Sequence, residues 1–166
     1  MYNLLYLVAI AAVVIGLQFV ARYYRMRRLG HWLKRGTEAY GAQRYDEALP
    51  AFRKCVAIAP EWVHTRALLG MSLAQTGKRE EALREIEMVR ALQPEQAETW
   101  ALISLFYALC MPENNETLMD ALETLCSLDA AVADKIINKP QFRRYARLER
   151  FQELQQRIKA ANAAEA

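Results

Sequence analysis

Between Trp32 and Pro94 the chain repeats itself at a fixed interval. Gly36 returns 34 residues later as Gly70, Ala48 as Ala82 and Pro60 as Pro94, with Phe52 answered by Ile86. A constant period of this length marks a repeat architecture, in which each unit is one supersecondary piece too small to bury its own apolar face. The units must therefore stack on one another. A proline at the same point of each period ends an element there, because it lacks an N–H and clashes with a continuing helix. Stacked units make an extended surface for gripping other molecules, so function is expected in binding and not in chemistry.

The totals agree with a small array carrying an appendage. A length of 166 residues allows one domain, and the apolar share of 54% exceeds the globular norm because of the N-terminus. Charge lies in blocks. Residues 1–21 have none, residues 22–35 hold six Arg or Lys and no acid, residues 36–133 sum to −7, and residues 134–166 to +4. Cys55, Cys110 and Cys126 are odd in number with no C-x-x-C spacing, which reads as buried thiols in a reducing compartment. His31 and His64 stand apart from any cluster at ligand spacing, so neither metal nor cofactor is expected. There is no G-x-S-x-G, no phosphate-cradling glycine loop and no distinctive carboxylate pair, and no enzyme is expected.

From Leu4 to Ala21 the run LLYLVAIAAVVIGLQFVA has a single polar side chain, Gln18. At ~1.5 Å per residue it spans about 27 Å, close to the ~30 Å of a bilayer's hydrocarbon. Tyr2 on one side and Tyr23 and Tyr24 on the other put aromatic rings at the two interfaces. A cleaved secretory signal needs its positive charges before the apolar run, and here they follow it. A buried core helix would not be apolar on every face with a dense basic segment directly after it. An uncleaved transmembrane anchor with a basic flank is the expectation for residues 1–28. Arg22, Arg25, Arg27, Arg28, Lys34 and Arg35 form the membrane-flanking basic set. Such clusters stay on the cytoplasmic side, leaving the N-terminus outside. The expected location is a bacterial inner membrane with the array cytoplasmic, an organellar membrane being the alternative. The arginines orient the segment and could also touch anionic headgroups.

The periodic residues resemble the tetratricopeptide repeat, whose pattern is W-x2-L-G-x2-Y…A-x3-F…P. The first unit, 29–62, has Trp32, Gly36, Ala48, Phe52 and Pro60 in place, with Arg35 where Leu is usual and Ala39 beside Tyr40 where Tyr is usual. Asp46 stands where a second helix should start. The second, 63–96, has Leu69, Gly70, Ala82 and Pro94, with Arg66, Leu73 and Ile86 as departures, and Gly77 as the turn glycine that closes a helix. In a degenerate third unit, 97–137, Trp100, Ile103, Ser104 and Tyr107 fit, but Ala121 and Leu125 match only after five extra residues placed in 111–116. Residues 138–160 follow, with Phe142, Tyr145, Leu148, Phe151, Leu154 and Ile158 read as one apolar stripe along a helix. That run resembles the motif that closes many bacterial tetratricopeptide arrays. Residues 161–166 read as a frayed tail.

The resemblance implies an all-α solenoid of about three helical hairpins plus a C-terminal capping helix, preceded by one transmembrane helix. It implies a concave protein-binding groove lined by the first helix of each hairpin. Family positions carried over by spacing place Leu33, Thr37, Tyr40 and Gly41 there from the first unit, His64, Ala67, Met71, Ala74 and Gln75 from the second, and Glu98, Ala101, Leu105 and Ala108 from the third. Small and apolar residues dominate, which suits a partner presenting an apolar helix or extended peptide. The lysines and asparagines with which related grooves hold the acidic C-termini of heat-shock chaperones are missing. Arg143, Arg144, Arg147 and Arg150 make the C-terminal segment basic, but its aromatics fall on the apolar stripe, so a nucleic-acid partner is not expected.

The leading functional expectation is a membrane-anchored scaffold or adaptor, an accessory or assembly subunit of a membrane-associated complex. The alternatives are a homo-oligomeric scaffold on the membrane surface and a receptor for precursor peptides on an organelle.

Overall fold

The structure, a computed structural model, describes residues 2–164; residue 1, the last two residues and the side chains of residues 2–5 and 7, Tyr2 among them, lie outside what is described. Among the described residues the elements are all helical: α1 Tyr2–Gly41, α2 Tyr45–Ile58, α3 Val63–Gln75, α4 Arg79–Ala91, α5 Ala97–Cys110, α6 Asn115–Leu128, α7 Ala130–Ile137, a 3-10 helix Pro140–Tyr145, and α8 Glu149–Ala164. The expected all-α solenoid is present, and one long apolar helix precedes it. Helices pair as antiparallel hairpins, α1 with α2, α3 with α4 and α5 with α6, while α3 packs on α2 and α5 on α3.

The glycines recognised in the period sit where these helices touch. A Cβ at Gly36 would stand 2.7 Å from Phe52 Cε1, and one at Gly70 would stand 2.9 Å from Ile86 Cδ1. Only hydrogen fits between helix and ring, so the hairpins close to backbone distance. One core runs through the stack, from Ala39 and Phe52 through Leu73, Ile86, Phe106 and Leu122 to Phe151 and Ile158. A satellite of Leu29, Cys55 and Ala59 fastens α1 to the end of α2. Cys55 is buried there, and Cys110 and Cys126 are half-buried free thiols.

The turns inside the first two hairpins are built alike. Gly77 takes φ +79°, while the Lys78 and Gly77 N–H groups donate to the carbonyls of Leu73 and Ala74 at 2.9 and 3.1 Å. Gln43 takes φ 60°, with Arg44 and Gln43 donating to Ala39 and Tyr40 at 2.8 and 2.9 Å. Both are helix ends closed by a left-handed residue, with glycine supplying that conformation in only one of them. In the third hairpin Pro112 stands where that residue would be, and its ring forbids a positive φ. The turn there takes another form and lengthens to 111–114.

This changes the alignment of the third unit. Counted from helix starts, α5 follows α3 by 34 residues and α6 follows α4 by 36, so the insertion is two residues and not five. Leu118 then stands where Ala82 does and Leu122 where Ile86 does, with buried Ser104 at the place of Gly70.

The C-terminal segment also differs from the single helix expected over 138–160. Lys139 is extended, as a residue before proline prefers, Pro140 opens a 3-10 helix, and α8 begins only at Glu149. Phe142, Tyr145, Leu148 and Phe151 recur at intervals of three, and in an α-helix each such step drifts by roughly 60°, carrying Phe142 and Phe151 to opposite faces. The 3-10 helix, with ~3 residues per turn, keeps the first of them on one side. Phe142, Tyr145, Phe151, Leu154 and Ile158 are all buried in the common core. Here α7 packs on α5 and α6, and α8 packs on α6 and α7, so the segment lies at the end of the stack. Arg150 fastens it, reaching Glu116, Asp120 and Glu123 of α6 at 2.8, 2.7 and 2.7 Å.

α1 is continuous over 40 residues, about 60 Å at ~1.5 Å per residue. Every residue from Val8 to Arg28 is exposed. The helix is long and apolar enough to cross a membrane, and its apolar stretch is not covered by the rest of the chain. The C-terminal third of the same helix, from Leu29 to Gly41, is the first helix of the first hairpin.

Candidate protein-binding groove

The first helices of the hairpins, α1 beyond Leu29, α3 and α5, stand side by side, and the groove lies along them. It includes a cleft of about 290 Å³ lined by Leu33 of α1, Glu61 and Trp62 of the α2–α3 connection, Val63, His64 and Thr65 of α3, and Gln96 before α5. The His64 Nδ1 lies 3.2 Å from the Thr99 hydroxyl. Burial holds His64 below the ordinary imidazole range, against the opposing pull of the Glu98 carboxylate, so the neutral ring is favoured. Beside it the Glu61 carboxylate accepts a hydrogen bond from Arg25 at 2.8 Å.

At the far end of the groove Tyr40 is half-buried, its ring edge-on to Tyr45 at 5.2 Å. Its phenol is pushed up to about 12, by burial first and then by Tyr45 and Cys110, and stays a neutral hydrogen-bonding group. Between the two ends, the Thr37 hydroxyl donates to the carbonyls of Leu33 and Lys34 at 3.0 Å, which leaves its methyl free for an apolar contact. Gly41 and Gln75 are exposed, Ala74 and Leu105 half-buried, and Glu98 exposed at the start of α5.

Four residues expected in the groove are not at its surface. Ala67 and Ala108 have no exposed area, and Met71 and Ala101 keep 2% and 7%. Small side chains on adjoining first helices allow α3 and α5 to approach, and the close packing around them buries these positions, which form the seam and not the lining. The cleft gains residues the helical spacing did not select, Glu61, Trp62, Val63, Thr65 and Gln96, three of them on connections between hairpins. A tryptophan two residues after Pro60 was the available signal: Trp62 is 39% exposed.

The basic set divides as well. Arg22, Arg25, Arg27 and Arg28 are exposed on the free part of α1. Lys34 and Arg35 lie in the hairpin, Lys34 pairing with Glu38 at 3.9 Å and Arg35 standing 5.7 Å from the Trp32 ring. They are roughly 20 Å along the helix from Ala21, about two Debye lengths at physiological salt.

The family model described as Tetratricopeptide repeat matches residues 39–105, from the end of α1 to the middle of α5. Comparison with curated proteins returns no match. Over that stretch the all-α solenoid is similar to the tetratricopeptide repeat, a protein-interaction module, which supports a scaffold for protein–protein contact in general.

Proposed function

We propose that this chain is a membrane-anchored adaptor that holds a protein partner at the inner face of a membrane, as an accessory or assembly subunit of a membrane-associated complex. The observation that carries the reading is α1: an apolar helix exposed from Val8 to Arg28 that continues without a break into the first tetratricopeptide hairpin. An exposed helix of this composition in water would cost far more than its ~30 Å of hydrocarbon-matched length could tolerate, and a bilayer removes that cost. The four exposed arginines that follow favour the cytoplasmic side for the array. The partner presents an apolar helix or an extended apolar peptide to Leu33, Val63 and Leu105, with His64 and Gln75 as polar handles. Anchoring raises the local concentration of the bound protein, so modest intrinsic affinity suffices.

The test is to cross-link the full-length chain in its native membranes, solubilise gently and identify what co-purifies, with a variant lacking residues 1–28 in parallel. A stoichiometric set of other proteins, lost from the membrane fraction on deletion, is the expected result. Recruitment unchanged by the deletion refutes the adaptor. Recovery of this chain cross-linked only to itself replaces it with a self-assembled scaffold.

A further inference from the structure

Alternating helix directions sort the connections to two ends of the stack. Turns 42–44, 76–78 and 111–114 lie at one end, and connections 59–62, 92–96 and residue 129 at the other. The two ends differ in character. Where α2, α4 and α6 finish stand Ile58, Leu92 and Leu128, one per hairpin at equivalent places, and Trp62 follows the first of them. Leu92 is 63% exposed, Leu128 44% and Trp62 39%. The opposite end presents exposed Gln43, Arg44, Gly77 and Lys78 at its first two turns, and its exposed large apolar side chain is Leu109, 45%, beside the third turn.

α1 decides which way the apolar end faces. Because α1 and α2 are antiparallel, Ala57 and Ile58 share a cleft of about 360 Å³ with Ala21, Tyr24, Arg25 and Arg28. The Arg25–Glu61 pair, at 2.8 Å, and the buried Leu29, Cys55 and Ala59 hold that register. The α2–α3 connection is therefore level with Arg25, about 6 Å along the axis from the end of the apolar run at Ala21. Headgroups occupy that depth when the run fills the hydrocarbon.

We propose that this end of the array is a second membrane contact: Trp62 and Leu92, with Leu128 continuing the row, rest in the headgroup layer of the anionic bilayer that α1 crosses. The proposal rests on the anchor reading above. Tryptophan favours the interface, where its ring is apolar and its N–H stays wet. Arg22, Arg25, Arg27 and Arg28, beside the same end, match anionic phosphates. Of the acids there, Glu61 is paired with Arg25 and Asp129 accepts the Val132 N–H at 2.8 Å, leaving Glu95 and Glu98 exposed. Contact at two separated places fixes the tilt of the array, so the groove opens at one height above the membrane.

The experiment reconstitutes the full-length chain in vesicles of phosphatidylcholine and phosphatidylglycerol, with lipids brominated near the headgroup end of the acyl chain to quench nearby tryptophan fluorescence. Wild type is compared with Trp62→Phe, with Leu92→Trp and Leu128→Trp at the apolar end, and with Gln43→Trp and Lys78→Trp at the opposite end; all are exposed positions outside the core. The expected result is loss of most of the wild-type quenching in Trp62→Phe, and added quenching in Leu92→Trp and Leu128→Trp but not in the two opposite-end variants. Flotation is measured on the same samples. Vesicle-bound chain with equal quenching at both ends and no effect of Trp62→Phe overturns the second contact and leaves the anchor standing. Chain that does not float with the vesicles overturns both.

Discussion

Gly36 is the position where one added carbon should tell most. It is buried at the crossing of α1 and α2, and a Cβ there would lie 2.7 Å from Phe52 Cε1 and 2.9 Å from Cδ1. Carbon atoms rest about 3.5–4.0 Å apart, so ring or helix has to retreat by close to 1 Å. Phe52 has no exposed area, and Tyr40 stands edge-on to it at 6.4 Å, so its ring has no free volume to enter. Overpacking of this kind costs roughly 1–3 kcal/mol, while alanine in place of glycine inside a helix returns about 1 kcal/mol. Gly36→Ala is therefore expected to destabilise by about 1 kcal/mol. Gly70→Ala should destabilise by a similar amount, because both Cδ1 and Cγ1 of Ile86 stand 2.9 Å from the added carbon. The deciding comparison is Gly36→Ala with Phe52→Leu. Phe52→Leu alone leaves a void, and the new methyl fills part of it, so the double variant should be more stable than the sum of the singles by about 1 kcal/mol. The assay is urea unfolding of the full chain in detergent micelles, followed by helical circular dichroism. Additivity within ~0.5 kcal/mol, or a Gly36→Ala more stable than wild type, would refute the close-packing argument.

Two further predictions concern the turns and the cleft. Gln43 holds a positive φ without being glycine, so Gln43→Gly should stabilise by roughly 0.5–1 kcal/mol and Gly77→Gln destabilise by a similar amount, read as opposite shifts of the urea midpoint. His64 is held below its ordinary value of 6.5 by burial, so the folded chain binds its proton less readily than the unfolded chain. Its contribution is complete above that value and is lost as pH falls below it; melting temperatures measured between pH 5 and 8 should fall more steeply in wild type than in His64→Gln.

What the sequence revealed follows from which constraints are local. The 34-residue period survives in bare residue identity because Gly36 and Gly70 have no substitute at a helix crossing where a Cβ meets Phe52 or Ile86. The turn glycine was legible at Gly77 and invisible at Gln43, where the same conformation is borne by a residue that carries no such signal. Pro112 was recognised as a helix stop, but its effect on the register was overestimated, since the alanine at 121 resembles the family element while Leu118 occupies its place. The C-terminal run misled through its spacing: steps of three look helical, yet they belong to a 3-10 turn followed by a new helix. Groove positions carried over from the family mixed exposed residues such as Thr37 and Gln75 with seam residues such as Ala67 and Ala108, because spacing along a helix does not report how close the neighbouring helix comes.

The unbroken course of α1 has the widest consequence for how such a protein could work. A flexible tether would let the groove wander through a volume that grows with tether length, and a partner bound there would be only loosely positioned. Here the residues that leave the apolar run are already in the helix that forms the first hairpin, and no turn or proline separates Ala21 from Gly41. Gly30 is the weak point, since glycine costs about 1 kcal/mol inside a helix and nothing packs over it. Buried Leu29 on one side of it and the Arg25–Glu61 pair one turn earlier brace the helix against α2 and the α2–α3 connection. Bending at Gly30 would pull buried Leu29 away from Cys55 and Ala59, with the exposed Arg25–Glu61 pair adding little, so this packing stiffens the helix where glycine would let it flex. The groove is then presented at a set distance and angle from whatever holds the apolar segment, and selectivity can come from where a partner's peptide emerges as well as from its sequence.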